Sequence, residues 1–180
     1  MLRIRLAILS TALALLSVPG LEAQQANGTA PAPLPSQIIT AKKVFISNAG
    51  GELDPDIWSG ESTRTYNQFY AAIKSWGRYE LVAAPADADL VLEIGFANPI
   101  VGVMVSSTSG GGSSNDPQFR LVMLDPKTHI LLWTLTTHVP RKIGLQKGRD
   151  RNFDESLARL VDGLKKLTTQ PTATVVGTAK

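Results

Sequence analysis

Apolar residues recur in two rhythms between residues 42 and 167, one of period two and one of period 3.6, and the switches between them outline the fold. The run Lys42 to Ser47 in "AKKVFISN" is short, β-branched and aromatic, and it ends at Asn48 before Gly50 and Gly51, so it predicts a first strand. In "STRTYNQFYAAIKSWG", Tyr66, Phe69, Tyr70, Ile73 and Trp76 or Gly77 fall on one helical stripe. Ser62 or Thr63 suits the start of that helix and Gly77 its end. Alternation returns in "RYELVAA" (Arg78 to Ala84), in "DLVLEIGF", in "QFRLVMLD" and in "ILLWTLTTHV". Between the last two, "DPKTH" has the chemistry of a turn, with Pro126 preset for its second position. The polar "GELDPDIWSGES" reads as a loop, and so does Val105 to Phe119, "VSSTSGGGSSNDPQF", between two strands.

The last periodic segment is helical. Phe153, Leu157, Leu160, Val161, Leu164 and Leu167 share a stripe, Asn152 is placed to cap it, and Asp154, Glu155, Lys165 and Lys166 match the helix dipole at its two ends. The expected class is α+β, a mixed sheet of about five strands in the order β-α-β-β-β-β-α with two amphipathic helices on one face. Alternation then sends Leu90, Leu92, Ile94, Phe96, Phe119, Leu121, Met123, Leu131, Trp133, Leu135 and Val139 towards the helices. The other face receives Val91, Glu93, Arg120, Val122, Ile130, Leu132, Thr134, Thr136 and His138, with Glu93 placed to pair with Arg120 across strands. That mixture is too apolar for an ordinary solvated face. Either loops such as 99–105 fold over it, or a partner does.

The flanks differ in composition. "MLRIRLAILSTALALLSVPGLEAQQ" has a basic start at Arg3 and Arg5, an apolar core from Leu6 to Val18, and a small residue at Ala23. It predicts a secretory signal peptide, residues 1–23, too short in its apolar run to serve as a spanning helix. Residues 24–37, rich in Pro and Ala, predict a disordered linker, and 168–180 a disordered tail, leaving a single domain over 38–167. A periplasmic or secreted location follows from the leader. The chain has no cysteine, which excludes disulfide staples, thiol catalysis and a lipid-attachment cysteine. Removal of residues 1–23 leaves 16 Lys and Arg against 14 Asp and Glu, a balance too even to imply nucleic acid as a partner. The positive charge is local, in "RKIGLQKGRDR", where Arg141, Lys142, Lys147, Arg149 and Arg151 face Asp150 alone. Such a basic loop suits an acidic protein or an anionic lipid surface.

Motifs for chemistry are missing from this sequence. "STSGGGSSND" has no lysine and leads into a strand, so it fails as a phosphate loop. His129 and His138 lie nine positions apart without the spacing of a zinc site, no G-x-S-x-G elbow is present, and Glu52, Asp54 and Asp56 do not follow a calcium-loop pattern. Asp87 and Asp89 punctuate the chain ahead of a buried strand. No cofactor and no metal are expected.

The succession "AKKVFISN", "YNQFYAAIKSWGRYELV", "ADADLVLEIGF", "FRLVMLDPKTHILLW" and a closing amphipathic helix resembles a group of secreted bacterial domains. The group includes the TolB amino-terminal domain, the penicillin-binding-protein activator (LpoB-like) lipoproteins and exported domains of unknown function. The resemblance covers about residues 41–167 and implies a non-enzymatic envelope domain that touches other proteins. Together these readings favour a binding role through the sheet face or the basic loop. The surface residues singled out are Glu93, Arg120, Leu132, His138, Arg141, Lys142, Lys147, Arg149 and Arg151. An envelope hydrolase, or a carrier of a small ligand or lipid, is the alternative. The first requires a cleft gathering titratable groups and the second an enclosed apolar cavity.

Overall fold

The structure, a computed structural model, describes residues 32–51, 58–104, 112–140 and 145–169. Residues 1–23, read as a signal peptide, residues 105–111 of the glycine-bearing stretch, Glu52, Asp54, Asp56, Arg141 and Lys142 lie outside them. By its contacts the chain divides after Ala32, and every element below belongs to the unit Pro33–Lys180.

The elements are α1 (Ser36–Thr40), β1 (Lys43–Gly50), α2 (Arg64–Trp76), β2 (Glu80–Leu81), β3 (Leu90–Ala97), β4 (Ile100–Met104), β5 (Gly112–Asn115), β6 (Gln118–Leu124), β7 (Leu131–His138) and α3 (Gln146–Thr168), with a single 3-10 turn at Pro85–Asp87. Five strands form a mixed sheet in the order β2-β1-β3-β6-β7, and β4 and β5 form a separate two-stranded ribbon. β1 runs parallel to β2 and β3, while β3, β6 and β7 are antiparallel neighbours. The expected α+β class and mixed five-stranded sheet are therefore those observed.

The helices lie over one face of the sheet, where Val44, Ile46, Leu90, Leu92, Ile94, Phe96, Phe119, Leu121 and Met123 share one core with Phe69 and Ile73 of α2 and with Phe153, Leu157, Leu160, Val161 and Leu164 of α3. Burial of each such side chain contributes about 1.5–3 kcal/mol, and without disulfides this core holds the fold. At its centre Phe96, Phe119 and Phe153 meet ring to ring, with centroids 4.7 to 5.8 Å apart. Trp58 closes the cluster edge-on against Phe96 at 5.1 Å.

Several local expectations are corrected. Ser36 and Gln37, read as linker, open α1, whose Ile38 is fully buried. The strand expected over Arg78 to Ala84 shrinks to two residues at the sheet edge, because Gly77 at φ 69° ends α2 just before it and Pro85 turns the chain just after. In α2, Tyr70 stands out into solvent and Thr65 is buried in its stead. Ile100–Met104, inside a stretch read as a loop, forms β4, and Gly112–Asn115 forms β5, its antiparallel partner. A register shift opposite Met123/Leu124 turns Leu131 outward and packs Leu132 against the core, the reverse of simple alternation.

α3 starts six residues before Asn152. That side chain is buried inside the helix, and its amide donates to the Pro140 carbonyl at 3.0 Å, tying α3 to the end of β7. The first turn therefore has no acid and no side-chain cap. Its cations oppose the helix dipole, an arrangement that needs stabilisation from elsewhere.

One glycine is dictated by close approach. Gly51, at φ 111°, leaves β1 so near the backbone of Phe96 that a Cβ would fall 1.9 Å from its carbonyl oxygen. Only glycine passes there.

Candidate interaction surface

The sheet face away from the helices is built by register. Pairing of Glu93 with Val122, Gly95 with Arg120, Arg120 with Thr136, Val122 with Thr134 and Gln118 with His138 places these side chains on one side. Val91 and Val122 are buried at its centre, whereas Arg120, Thr136 and His138 are exposed and Glu93 and Thr134 are half-buried. The face is thus an apolar floor with a polar margin. Glu93 faces Val122 directly and stands only diagonally to Arg120, and among the described residues no ion pair joins the two acid and base side chains. The expected cross-strand pair is replaced by a carboxylate beside two valines and a guanidinium beside Gly95.

His138 ends the face. Its Nδ1 lies 2.9 Å from Oδ1 of Asp116 and 2.8 Å from Oδ2, and the Asp116 N–H donates to the Pro99 carbonyl at the foot of the ribbon. Leu132, expected on this face, packs against the core. Lys147, Arg149 and Arg151, expected on a loop, lie on the first turns of α3 in the helix layer, and Arg151 pairs with Glu155 at 3.7 Å. The structure thus leaves Arg120, His138 and Glu93 together on the sheet face, with Lys147, Arg149 and Arg151 apart from them on α3.

The acids with displaced titration are engaged in holding the fold. Asp89 accepts from the backbone N–H groups of Lys43 and Lys42, both at 2.9 Å, and those bonds hold its carboxyl below the usual range. Asp125 accepts from the Thr128 N–H (2.7 Å), from Gln37 Nε2 (2.9 Å), from the Thr128 hydroxyl (2.9 Å) and from the Lys127 N–H (2.9 Å). These bonds outweigh burial and bring its pKa down to about 2. The same turn sets His129 at φ 57° and returns the chain through Asp125 N–H to the Ile130 carbonyl. Asp89 and Asp125 meet across a cleft of about 360 Å³ bordered by Gln37, Lys42, Ala88 and Lys127. Gln37 bridges the two through the Asp89 carbonyl and the Asp125 carboxylate. The "ADL" and "LDPKT" motifs therefore act as clamps at the strand ends.

A depressed carboxyl pKa fixes the sign of the pH dependence. Asp125 contributes its stabilisation in full above the unfolded-chain pKa near 4, and that contribution fades as the pH falls towards 2. Asp125→Asn is expected to lower the urea midpoint at neutral pH, with the gap to the wild type closing between pH 4 and pH 2. A gap that stays constant down to pH 2 would show that the charge does not matter there.

A third group clamps α2 to α3. Asp150 accepts from Arg64 Nη1 at 2.8 Å, from the Ser59 hydroxyl at 2.7 Å and from the Ser59 N–H at 2.9 Å. Arg64 Nη2 reaches Asp154 at 2.6 Å, and its guanidinium lies 4.2 Å from the centre of the Phe153 ring. Burial pushes the Asp150 carboxyl up, but the bonds from Arg64 and Ser59 outweigh it and hold it below the usual range. The Ser59 hydroxyl donates its proton into this clamp, to Oδ2 of Asp150. Between α2 and α3, Ala72, Trp76, Ala158, Val161 and Lys165 border a second, shallow cleft of about 290 Å³.

No family model matches the chain, and no curated protein sequence is similar to it. Among solved structures it is similar to a neuraminyllactose-binding hemagglutinin homolog from Helicobacter pylori. That pair shares 12% identity at a TM-score of 0.41, over 72% of this chain and 87% of the other. It is also similar to a Xanthomonas campestris protein of the family DUF330 (12% identity, TM-score 0.41, 74% and 85% covered). A third is an uncharacterised lipoprotein B from Nitrosomonas europaea (14%, 0.35, 78% and 84%). At such scores none of them assigns this chain a function. Among the described residues no helix is long and apolar enough to cross a membrane.

The face was legible because alternation in β3 and β6 is regular. The ribbon was missed. Its signal, the β-branched "IVGVM", was present but lay between Pro99 and the glycines, both of which point to loop.

Proposed function

We propose that the chain is an exported, non-enzymatic domain of the cell envelope that binds a protein partner through the sheet face carrying Glu93, Arg120, Thr134, Thr136 and His138. The observation that carries this reading is a division of labour. Asp89, Asp125 and Asp150, whose titration is displaced, are committed to backbone amides, Gln37, Ser59 and Arg64. Arg120 instead stands exposed, with His138 held against Asp116 on the same face, around buried valines that the helices leave uncovered. Kinship with the TolB amino-terminal domain and the activator lipoproteins is part of the same proposal, as is the signal peptide over 1–23.

The test is photo-crosslinking in the producing cell, with a benzophenone side chain at Thr136 on the face or at Asp162 on the outer side of α3. A discrete adduct from Thr136 that is lost with Arg120→Glu, with none from Asp162, is the expected result. Adducts from both positions, or from neither, would reject the face as the contact.

A further inference from the structure

His138 is exposed, yet it is held in place. Its side chain is 66% exposed, and its Nδ1 lies within hydrogen-bond distance of both carboxylate oxygens of Asp116, at 2.9 and 2.8 Å. Fixing an exposed side chain costs rotamer entropy, so an imidazole steadied in this way calls for a use. A carboxylate on one ring nitrogen orients the ring and leaves the other nitrogen, here Nε2, as the one open to a ligand.

Register supplies its neighbours. Gln118 lies directly opposite His138, and Arg120 stands at the next position of β6 on the same face, opposite Thr136. Side chains directly opposite have Cβ atoms about 4.5–5.5 Å apart, and successive positions on one face of a strand are about 7 Å apart. An amide, a guanidinium and an imidazole are therefore within reach of one point above the β6–β7 pair. Neither the Gln118 nor the Arg120 side chain has a hydrogen bond or an ion pair among the described residues. Glu93 stands diagonally to Arg120 on the β3 side, away from His138. Three donor groups thus gather on an uncovered face without an acceptor.

We infer that Arg120, Gln118 and His138 form a binding site for a carboxylate group. The guanidinium offers a planar fork that matches two carboxylate oxygens, and the Gln118 amide and the protonated Nε2 donate to the same group from the side. Charge sets the class of ligand. Arg120 and a protonated His138 against Asp116 leave one positive charge, and Glu93 flanks the far side of Arg120. A monoanion is matched by that balance, whereas a dianion such as sulfate or a phosphate ester is opposed by the two fixed carboxylates. The site rests on the reading of this face as a contact surface and adds the chemistry of the contact: the group received is a carboxylate of the partner, from an Asp or Glu side chain or from a chain end.

The test is an NMR titration of the purified chain, in the form the cell delivers, with four probes at matched ionic strength. Acetyl-aspartate α-amide carries the carboxylate on a side chain, acetylglycine carries it at a chain end, and sodium sulfate and sodium chloride are the controls. At pH 5.5 at least one of the two acids is expected to shift the resonances of Gln118, Arg120 and His138 saturably, and the tighter of the two names the source. Sulfate should bind at least fivefold more weakly. The acids keep their charge between pH 5.5 and pH 8, whereas histidine loses its proton in that range, so their affinity should fall at least fivefold as the pH rises. Arg120→Gln should weaken binding at least tenfold and His138→Gln should flatten the pH dependence, each with an unchanged circular dichroism spectrum. Three results would each overturn the inference. One is no saturable shift with either acid. Another is sulfate binding as tightly as the acids, which marks general attraction of anions. The last is binding indifferent to Arg120→Gln or to pH. The titration needs no partner, so a Thr136 adduct in the cell without any response to the acids would reject this site and leave the face standing.

Discussion

Arg64→Ala is expected to destabilise the fold by about 3 kcal/mol, read as a lower urea midpoint at neutral pH. The Arg64 side chain is only 14% exposed, and its two terminal nitrogens serve three acceptors: the Ser59 carbonyl at 2.6 Å, Asp150 at 2.8 Å and Asp154 at 2.6 Å. Truncation removes the cation and leaves two carboxylates one helical turn apart, with Asp150 no more than 21% exposed. Removing one partner of a buried pair costs about 3–5 kcal/mol, mostly for the stranded charge, and the half-exposed Asp154 moderates that figure. The guanidinium also covers Phe153, so packing is lost with the charge.

Two controls separate these effects. Arg64→Lys should recover only part of the loss, since an ammonium cannot span two carboxylates with the planar fork. Acidification should narrow the gap between Arg64→Ala and the wild type. Asp150 is held below its usual pKa, so its stabilisation is complete above pH 4 and declines as the pH falls through its folded pKa. An unchanged midpoint in Arg64→Ala would mean that α3 is held by its apolar stripe alone.

That cluster marks the boundary of what the sequence makes legible. The strands β1, β3 and β6 and the helices α2 and α3 follow from period, because each buries a continuous face and burial enforces the rhythm. What period does not carry is long-range chemistry. Asp150 reads as a lone acid in a basic run, yet it is the residue that steadies the first turn of α3, through Ser59 and Arg64 some ninety positions earlier. The early start of α3 escapes notice for the same reason: Gly148 and three cations contradict both capping and dipole rules, and only the tertiary bonds offset them. On the candidate face, Arg120 and His138 are placed by alternation, whereas Leu132 is displaced by a single bulge that no local pattern announces.

Trp58→Ala is expected to have the largest effect, about 3–5 kcal/mol. Trp58 lies in "DIWSGES", a stretch with no periodicity, and an isolated aromatic among polar residues gives no reason to expect burial. Nevertheless it is 1% exposed and packs edge-on against Phe96, which touches both Phe119 and Phe153. Removal of the indole opens a cavity beside rings contributed by β3, β6 and α3, and close-packed rings held on three elements cannot collapse into it. The neighbouring Ser59 then loses its anchor, so the bonds to Asp150 weaken as well, and the substitution should couple non-additively to Arg64→Ala in a double-mutant cycle. Trp58→Phe keeps an edge-on ring and should recover much of the loss. Against a total stability of about 5–15 kcal/mol, the alanine variant should unfold at markedly lower urea and lose near-ultraviolet dichroism from Trp76 and Trp133 as the core loosens. A variant with near-wild-type stability, or one strictly additive with Arg64→Ala, would place Trp58 outside the core and make the 58–64 turn an ornament of the surface instead of the fastening between the sheet and its two long helices.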